Sequence, residues 1–196
     1  MIAFVRGNYV RKTPAQVVVD VNGVGYELQI SLHTYSAISA KENGQLFTYL
    51  HITENAQTLF GFFELGEKEL FLQLISVSGV GASTARMMLS GMRPDEIVKA
   101  IVQGNAKQLE AVKGIGRKTA ERLILELRDK LGKQSPETLP SLHNFHNTTE
   151  QDALNALVSL GIGRSAAEAA LKKALQSSDK ESPPLEDIIK SALKNL

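Results

Sequence analysis

Cysteine is absent from this chain of 196 residues. That excludes a disulfide framework, a thiol nucleophile and a cysteine-ligated zinc or iron–sulfur centre, and it suits a reducing cytosol. Long apolar runs are missing too, since none approaches the ~18 residues that a membrane span needs. The opening MIAFVRGNYV reaches Arg6 with no apolar core and no cleavage site. No signal peptide and no membrane partner are therefore expected, and a soluble, cytoplasmic protein is. Nor does one sign of charge dominate, because the formal net charge is +1. What remains is ordinary globular material, 43% hydrophobic and 22% charged, enough for one large domain or two to three small ones.

The charge is uneven along the chain. Residues 1–64 carry four basic and five acidic side chains, residues 65–131 eleven and eight, and residues 132–196 seven and eight. Only the middle is basic, and Lys113 to Lys130 concentrates six basic side chains against three acidic. That is a mild footprint for a polyanion.

Hydrophobic periodicity divides the chain in the same way. Gln16 to Val21 is β-branched, Val24, Tyr26, Leu28 and Ile30 alternate, and Asn22-Gly23 between them is a hairpin signal. Leu46 to Ile52 and Thr58 to Phe62 form a second pair around a tip at Thr53 to Gln57, and Ile2 to Arg6 or Tyr9 adds a fifth strand. Ser31 to Ser39 reads as a short helix with Ser31 as its N-cap. Five short strands in residues 1–63 predict a closed barrel, OB-like or SH3-like, because closure removes exposed edges. Across residues 64–131 the period becomes helical, punctuated by Gly and Pro into four or five short helices. Residues 132–149, with Pro136 and Pro140, read as a flexible linker. In residues 150–196, Glu150 to Leu160, Arg164 to Leu175 and Leu185 to Leu193 predict three helices. The fold class is therefore mainly α with an N-terminal β-barrel.

The middle region repeats itself at an offset of 35, with Ser78 to Leu89 (SGVGASTARMML) aligning on Lys113 to Ile124 (KGIGRKTAERLI). Gly79, Gly81, Thr84 and Ala85 fall on Gly114, Gly116, Thr119 and Ala120, and Val80 falls on Ile115. Each copy is helix, Gly-apolar-Gly turn, helix. The glycines permit a tight turn and close approach of backbone to a ligand. The apolar residue plugs the gap between helices, and the second helix offers free N–H groups and its positive dipole end to an anion. Two such sites side by side suit the phosphate backbones of a duplex and read no base identity.

Rival motifs fail on spacing. A Walker A ending would need Gly where Arg117 stands, and the turn follows a helix, not a strand. G-x-G-x-x-G lacks its third glycine, Thr84 or Thr119 standing there. His143 and His146, without Cys or a carboxylate cluster, do not make a structural zinc site. No nucleophile elbow or paired-carboxylate pattern appears, so no catalytic residue, metal or cofactor is expected. An enzyme-class alternative is a hairpin-type DNA glycosylase with Asp129 as its acid. A general duplex-binding module is the other.

Read in order, VGYEL (24–28), ENAQTLFGF (54–62), LISVSGVGASTARMMLSG (74–91), VKGIGRKTAERLILEL (112–127) and ALVSLGI (156–162) resemble the RuvA family. These are the junction-recognising subunits of a DNA branch-migration complex, and the resemblance covers essentially the whole chain. It implies an OB-fold domain, a tandem helix-hairpin-helix DNA-binding domain and a C-terminal three-helix domain similar to ubiquitin-associated domains. It also implies a homotetramer in a flat four-fold disc that binds four-way (Holliday) junction DNA, sequence-independently, in recombination and repair. The partners it implies are the RuvB motor ATPase, which hydrolyses the ATP, and the RuvC resolvase in the larger complex.

Residue by residue, the resemblance assigns phosphate-facing turns to Gly79, Val80, Gly81, Gly114, Ile115 and Gly116. Basic contacts go to Arg117, Lys118 and Arg122, with Ser83, Thr84 and Thr119 beside them. The first copy departs from the family with Ala82 and Ser83 where a basic residue often follows the turn. An acidic pair expected near the junction centre is Glu54-Asn55 here, one carboxylate replaced by an amide. Leu157, Leu160, Ile162 and Leu193 match the apolar surface offered to the motor.

Overall fold

The computed structural model describes residues 1–132, 149–176 and 184–194, in two compact units, Met1–Ser141 and Leu142–Leu196. The first unit opens with strands β1 (Phe4–Thr13), β2 (Gln16–Val21) and β3 (Val24–Ile30). Helix α1 (Leu32–Ile38) follows, then β4 (Asn43–Thr53) and β5 (Ala56–Phe62). They close a barrel in the order β1-β2-β3-β5-β4. Its one parallel pair, β3 with β5, is short: Gln29 opposite Phe60 and Ile30 opposite Gly61. A helix between β3 and β4 and this strand order decide for the OB arrangement over the SH3-like one.

Local chemistry explains most of the barrel. Alternation puts Val17, Val19, Leu28 and Ile30 inside. Asn22 (φ 52°) and Gly23 (φ 88°) form the type I′ turn, whose Gly23 N–H is taken by Asp20 Oδ1 at 2.7 Å. Ser31 caps α1, its hydroxyl accepting from Thr34 N at 3.0 Å. Two expectations change. The β4–β5 tip is only Glu54-Asn55, since pairing runs out to Thr53 opposite Ala56. β1 extends to Thr13 because it serves two neighbours, Phe4 to Asn8 on β4 and Asn8 to Thr13 on β2, with a bulge between Tyr9 and Arg11. Its polar Arg6, Arg11 and Lys12 hid that length.

Five helices complete the unit: α2 (Leu65–Ile75), α3 (Ala82–Gly91), α4 (Pro94–Val102), α5 (Ala106–Glu110) and α6 (Arg117–Gly132). Their core, with Leu74, Met88, Ile97, Ile101, Leu109, Leu123 and Leu127, continues into the barrel through Phe60 and Phe62. Phe71 links the two, its ring 5.1 Å from Phe60 and 4.9 Å from Phe62. Losing it would cost about 3–5 kcal/mol. Polar clamps reinforce the join. Arg86 on α3 donates to Gln29 Oε1 (2.5 Å) and Ala15 O (3.2 Å), and Leu32 N donates to Ser90 Oγ at 3.1 Å. Glu67 on α2 is 1% exposed and accepts from the Ser31 hydroxyl and from Thr34 Oγ1, the latter at 2.6 Å. Burial pushes its carboxyl above the ordinary range, against the lowering pull of Ser31, Thr34 and His33.

The second unit packs α7 (Thr149–Ser159), α8 (Arg164–Gln176) and α9 (Leu185–Lys194) around Ala153, Leu157, Ala167, Ala170, Ala174, Ile188 and Ala192. So many alanines let the helices approach closely. Of the expected linker, Gly132 ends α6 and Thr149 begins α7. Residues 133–148, with His143 and His146, lie outside the described residues.

Candidate nucleic-acid interface

The two Gly-apolar-Gly turns are the same object built twice. Gly79 and Gly114 sit at φ 93° and 94°, a region that strains any side chain. Val80 N bonds Val77 O at 3.0 Å, and Ile115 N bonds Val112 O at 3.0 Å. The second helices open alike, Ala85 N to Gly81 O at 2.9 Å and Ala120 N to Gly116 O at 3.0 Å. The repeat therefore extends upstream to Leu74 and Leu109, both fully buried.

The second glycines carry the functional signal. Gly81 has φ −82°, which any residue adopts, and a Cβ added at Gly81 or Gly116 would meet nothing within 4 Å. Packing inside the chain does not call for glycine there, and the face beside each turn stays open. Among the described residues, no hydrogen bond uses the N–H of Gly79, Gly81, Gly114 or Gly116. The four glycines are exposed at the positive ends of α3 and α6, where free backbone N–H groups favour an anion.

Side chains differ between the turns. Ser83 is exposed and Thr84 half-buried at the first; Arg117 and Lys118 are exposed and Thr119 half-buried at the second. Arg117 Nε pairs with Glu121 at 2.9 Å, which raises an already high pKa. Lys118 makes no ion pair among the described residues. Arg122, expected on phosphate, is exposed and donates from Nη1 to Ser78 O at 3.0 Å. Val80 and Ile115, at 4% and 5% exposure, plug the gap between the helices with their side chains, as the repeat predicts. They offer a ligand backbone only.

Glu54 and Asn55 are exposed at the barrel tip, beside Ile52 at 64%. In the second unit Leu157 needs correction. It is fully buried in the three-helix core, whereas Leu160 (65%) and Leu193 (43%) stand out and Ile162 is half-buried. Val158, at 42%, joins the exposed set. Asp129 lies on α6 twelve residues past Arg117, about 18 Å along the axis, exposed and remote from the turn. Among the described residues no group of three or more His, Cys, Asp or Glu is placed to hold a metal. No described helix is long and apolar enough to cross a membrane.

Family models match in the same order. Residues 1–61 match the RuvA N-terminal domain, residues 71–129 a SAM-like helix-hairpin-helix tandem, and residues 149–196 the RuvA C-terminal domain. Similar proteins run the full length. One from Cytophaga hutchinsonii, named Holliday junction branch migration complex subunit RuvA, is 46% identical over 99% of both chains. Proteins of the same name from Flavobacterium psychrophilum (44%) and Bacteroides fragilis (43%) each cover 100% of both chains.

Proposed function

This chain belongs to the RuvA family, and from that premise we propose that it is the non-catalytic subunit that binds four-way DNA junctions and brings the RuvB motor to them. The observation that carries this reading is the pair of matched turns with open glycine faces. Each offers backbone N–H groups and a helix dipole to one phosphate, so two turns per chain grip two strands without reading bases. Against a glycosylase stand the β-barrel that precedes the hairpins and the setting of Asp129, an exposed surface charge between Arg128 and Lys130.

Gly79, Gly81, Gly114 and Gly116 supply the amides, with Ser83, Thr84 and Thr119 beside them, and Arg117 and Lys118 add charge at the second turn. The barrel (1–63) and hairpin region (64–131) form the junction-binding part, and four copies surround the junction. Glu54 stands near its centre, where a carboxylate opposes close approach of phosphates. The helical region (150–196) offers Leu160, Leu193, Ile162 and Val158 to the motor, which carries the ATP chemistry. Work in the cytoplasm beside the RuvC resolvase completes the reading.

A competition gel between a four-way junction and linear duplex of equal length, with a mass measurement on the free protein, tests it. Strong junction preference and a tetramer are expected. Equal affinity would leave only a duplex-binding module.

A further inference from the structure

We propose that Arg122 is a positioning residue that aims the Gly79 amide of the first hairpin at its phosphate. This rests on the phosphate-binding reading of the two turns. Arg122 belongs to α6, the second helix of the second hairpin, and its side chain is exposed. Its Nη1 nonetheless crosses to the first hairpin and donates to Ser78 O at 3.0 Å. Among the described residues, this is the one hydrogen bond that takes that carbonyl.

The peptide plane makes the bond consequential. Ser78 C=O and Gly79 N–H belong to one planar trans peptide unit, so they point in opposite directions. Whatever holds the carbonyl sets the direction of the amide. The turn bond from Val80 N to Val77 O fixes the chain on either side of this peptide, and Arg122 is the group among the described residues that holds its carbonyl. A guanidinium on the carbonyl also polarises the peptide and makes its N–H a stronger donor. The equivalent carbonyl of the second hairpin, Lys113 O, receives no side-chain donor among the described residues. That hairpin has Arg117 and Lys118 at its turn, whereas the first has Ala82 and Ser83. The turn without a cation of its own is the one held by a cation from its neighbour.

The test uses the full chain with Arg122→Met, which keeps the aliphatic stem and removes the guanidinium. Junction affinity is measured at several salt concentrations, and the Gly79 and Gly114 amide resonances are recorded without DNA. Affinity should fall about tenfold, the scale of one hydrogen bond from a charged group, with an unchanged slope of log affinity on log salt. The Gly79 resonance should shift and Gly114 stay. Lys118→Met is the control: it should lower the slope by about one unit per lost contact and leave Gly79 in place. A slope lowered as by Lys118→Met, with Gly79 unmoved, would overturn the proposal and make Arg122 a phosphate contact. Unchanged affinity and an unmoved amide would overturn it as well. Should the Met variant not fold, Arg122→Lys keeps the charge, so a pure phosphate contact survives it while the Gly79 amide still moves. If the wild-type chain itself shows no junction preference, the function fails, whereas the amide shifts measured without DNA still decide the brace.

Discussion

The first and second hairpins share a backbone and a buried core and differ in the charge of the exposed side chains beside the turn. Both turns hold a left-handed glycine, both close through a bond of 3.0 Å onto a buried valine, and both leave the second glycine open. Yet Arg117, Lys118 and Arg122 of the second correspond to Ala82, Ser83 and Met87 of the first. What the two turns have in common is therefore main-chain amide, and on the proposed reading the cations are an addition that one copy does without. Charge sets how steeply binding depends on salt, whereas geometry sets whether a phosphate fits at all.

The sharpest way to break this comparison is to fill the open face of either turn. Gly81→Ser and Gly116→Ser should leave the melting temperature unchanged or raised, because serine is a good N-cap and meets no neighbour. Its hydroxyl would occupy the amides meant for phosphate, so junction affinity should fall at least about tenfold in each, by roughly the same factor. A filter-binding titration beside a thermal melt reads both. Unequal losses would mean that the two turns do not share one binding mode.

Exchanging the cation between the copies comes next. Lys118→Ser should weaken binding several-fold and lower the salt slope by about one unit per lost contact, and Ser83→Lys should do the reverse. Titrations over a salt series measure this. If Ser83→Lys changes neither, the first turn does not face phosphate.

A smaller effect is expected outside both hairpins, at the barrel tip. Glu54→Gln should tighten junction binding and Asn55→Asp weaken it, each by about 1 kcal/mol or less, the scale of a screened charge pair. Both effects should fade with salt while linear duplex binding stays put. No change for Glu54→Gln at low salt would remove this tip from the DNA surface.

The smallest effect concerns the join that presents both turns. Glu67 has a folded pKa raised by burial, so the folded state holds a proton that the unfolded chain has already lost. Its contribution is full below the unfolded pKa, near 4.5, and is lost as pH rises through the folded value. Denaturant titrations across that window should show stability falling with pH in the wild type and a flatter profile in Glu67→Gln. Identical profiles would show that Glu67 does not titrate as the geometry requires.

Much of this was legible from local sequence. Asn22-Gly23 announced its turn, the alternation of Val24, Tyr26, Leu28 and Ile30 announced a strand (of these Leu28 and Ile30 are buried and Val24 is exposed), and the repeat at an offset of 35 marked both hairpins. What the reading missed involves partners distant in the chain. The polar outward residues of β1 concealed a strand that serves two neighbours. Glu67 gave no sign of burial, because its partners Ser31 and Thr34 lie on another element. Leu157 lies on α7 and Leu160 just past its end, and packing alone put the first in the core and left the second exposed.

Letters can also match where backbones do not. Gly161-Ile162-Gly163-Arg164 copies Gly114-Ile115-Gly116-Arg117, and Gly161 has φ 90°. Here, however, Ile162 N reaches back five residues to Leu157 O at 3.2 Å and Gly161 N bonds Val158 O at 3.0 Å. That is a Schellman helix end rather than the three-residue closure of the hairpins.

The sequence by itself determined what depends on neighbours a few residues apart: where the chain turns, which face of each element is apolar, and that two turns expose their amides. Tertiary structure decided what long side chains and carbonyls do once distant segments meet. Arg122 finds Ser78 44 residues away and Arg86 finds Gln29 57 residues away. Backbone torsions are set by local sterics, so a glycine pair writes its turn into the sequence. A guanidinium accepts any well-placed oxygen, and only the folded packing brings one within reach.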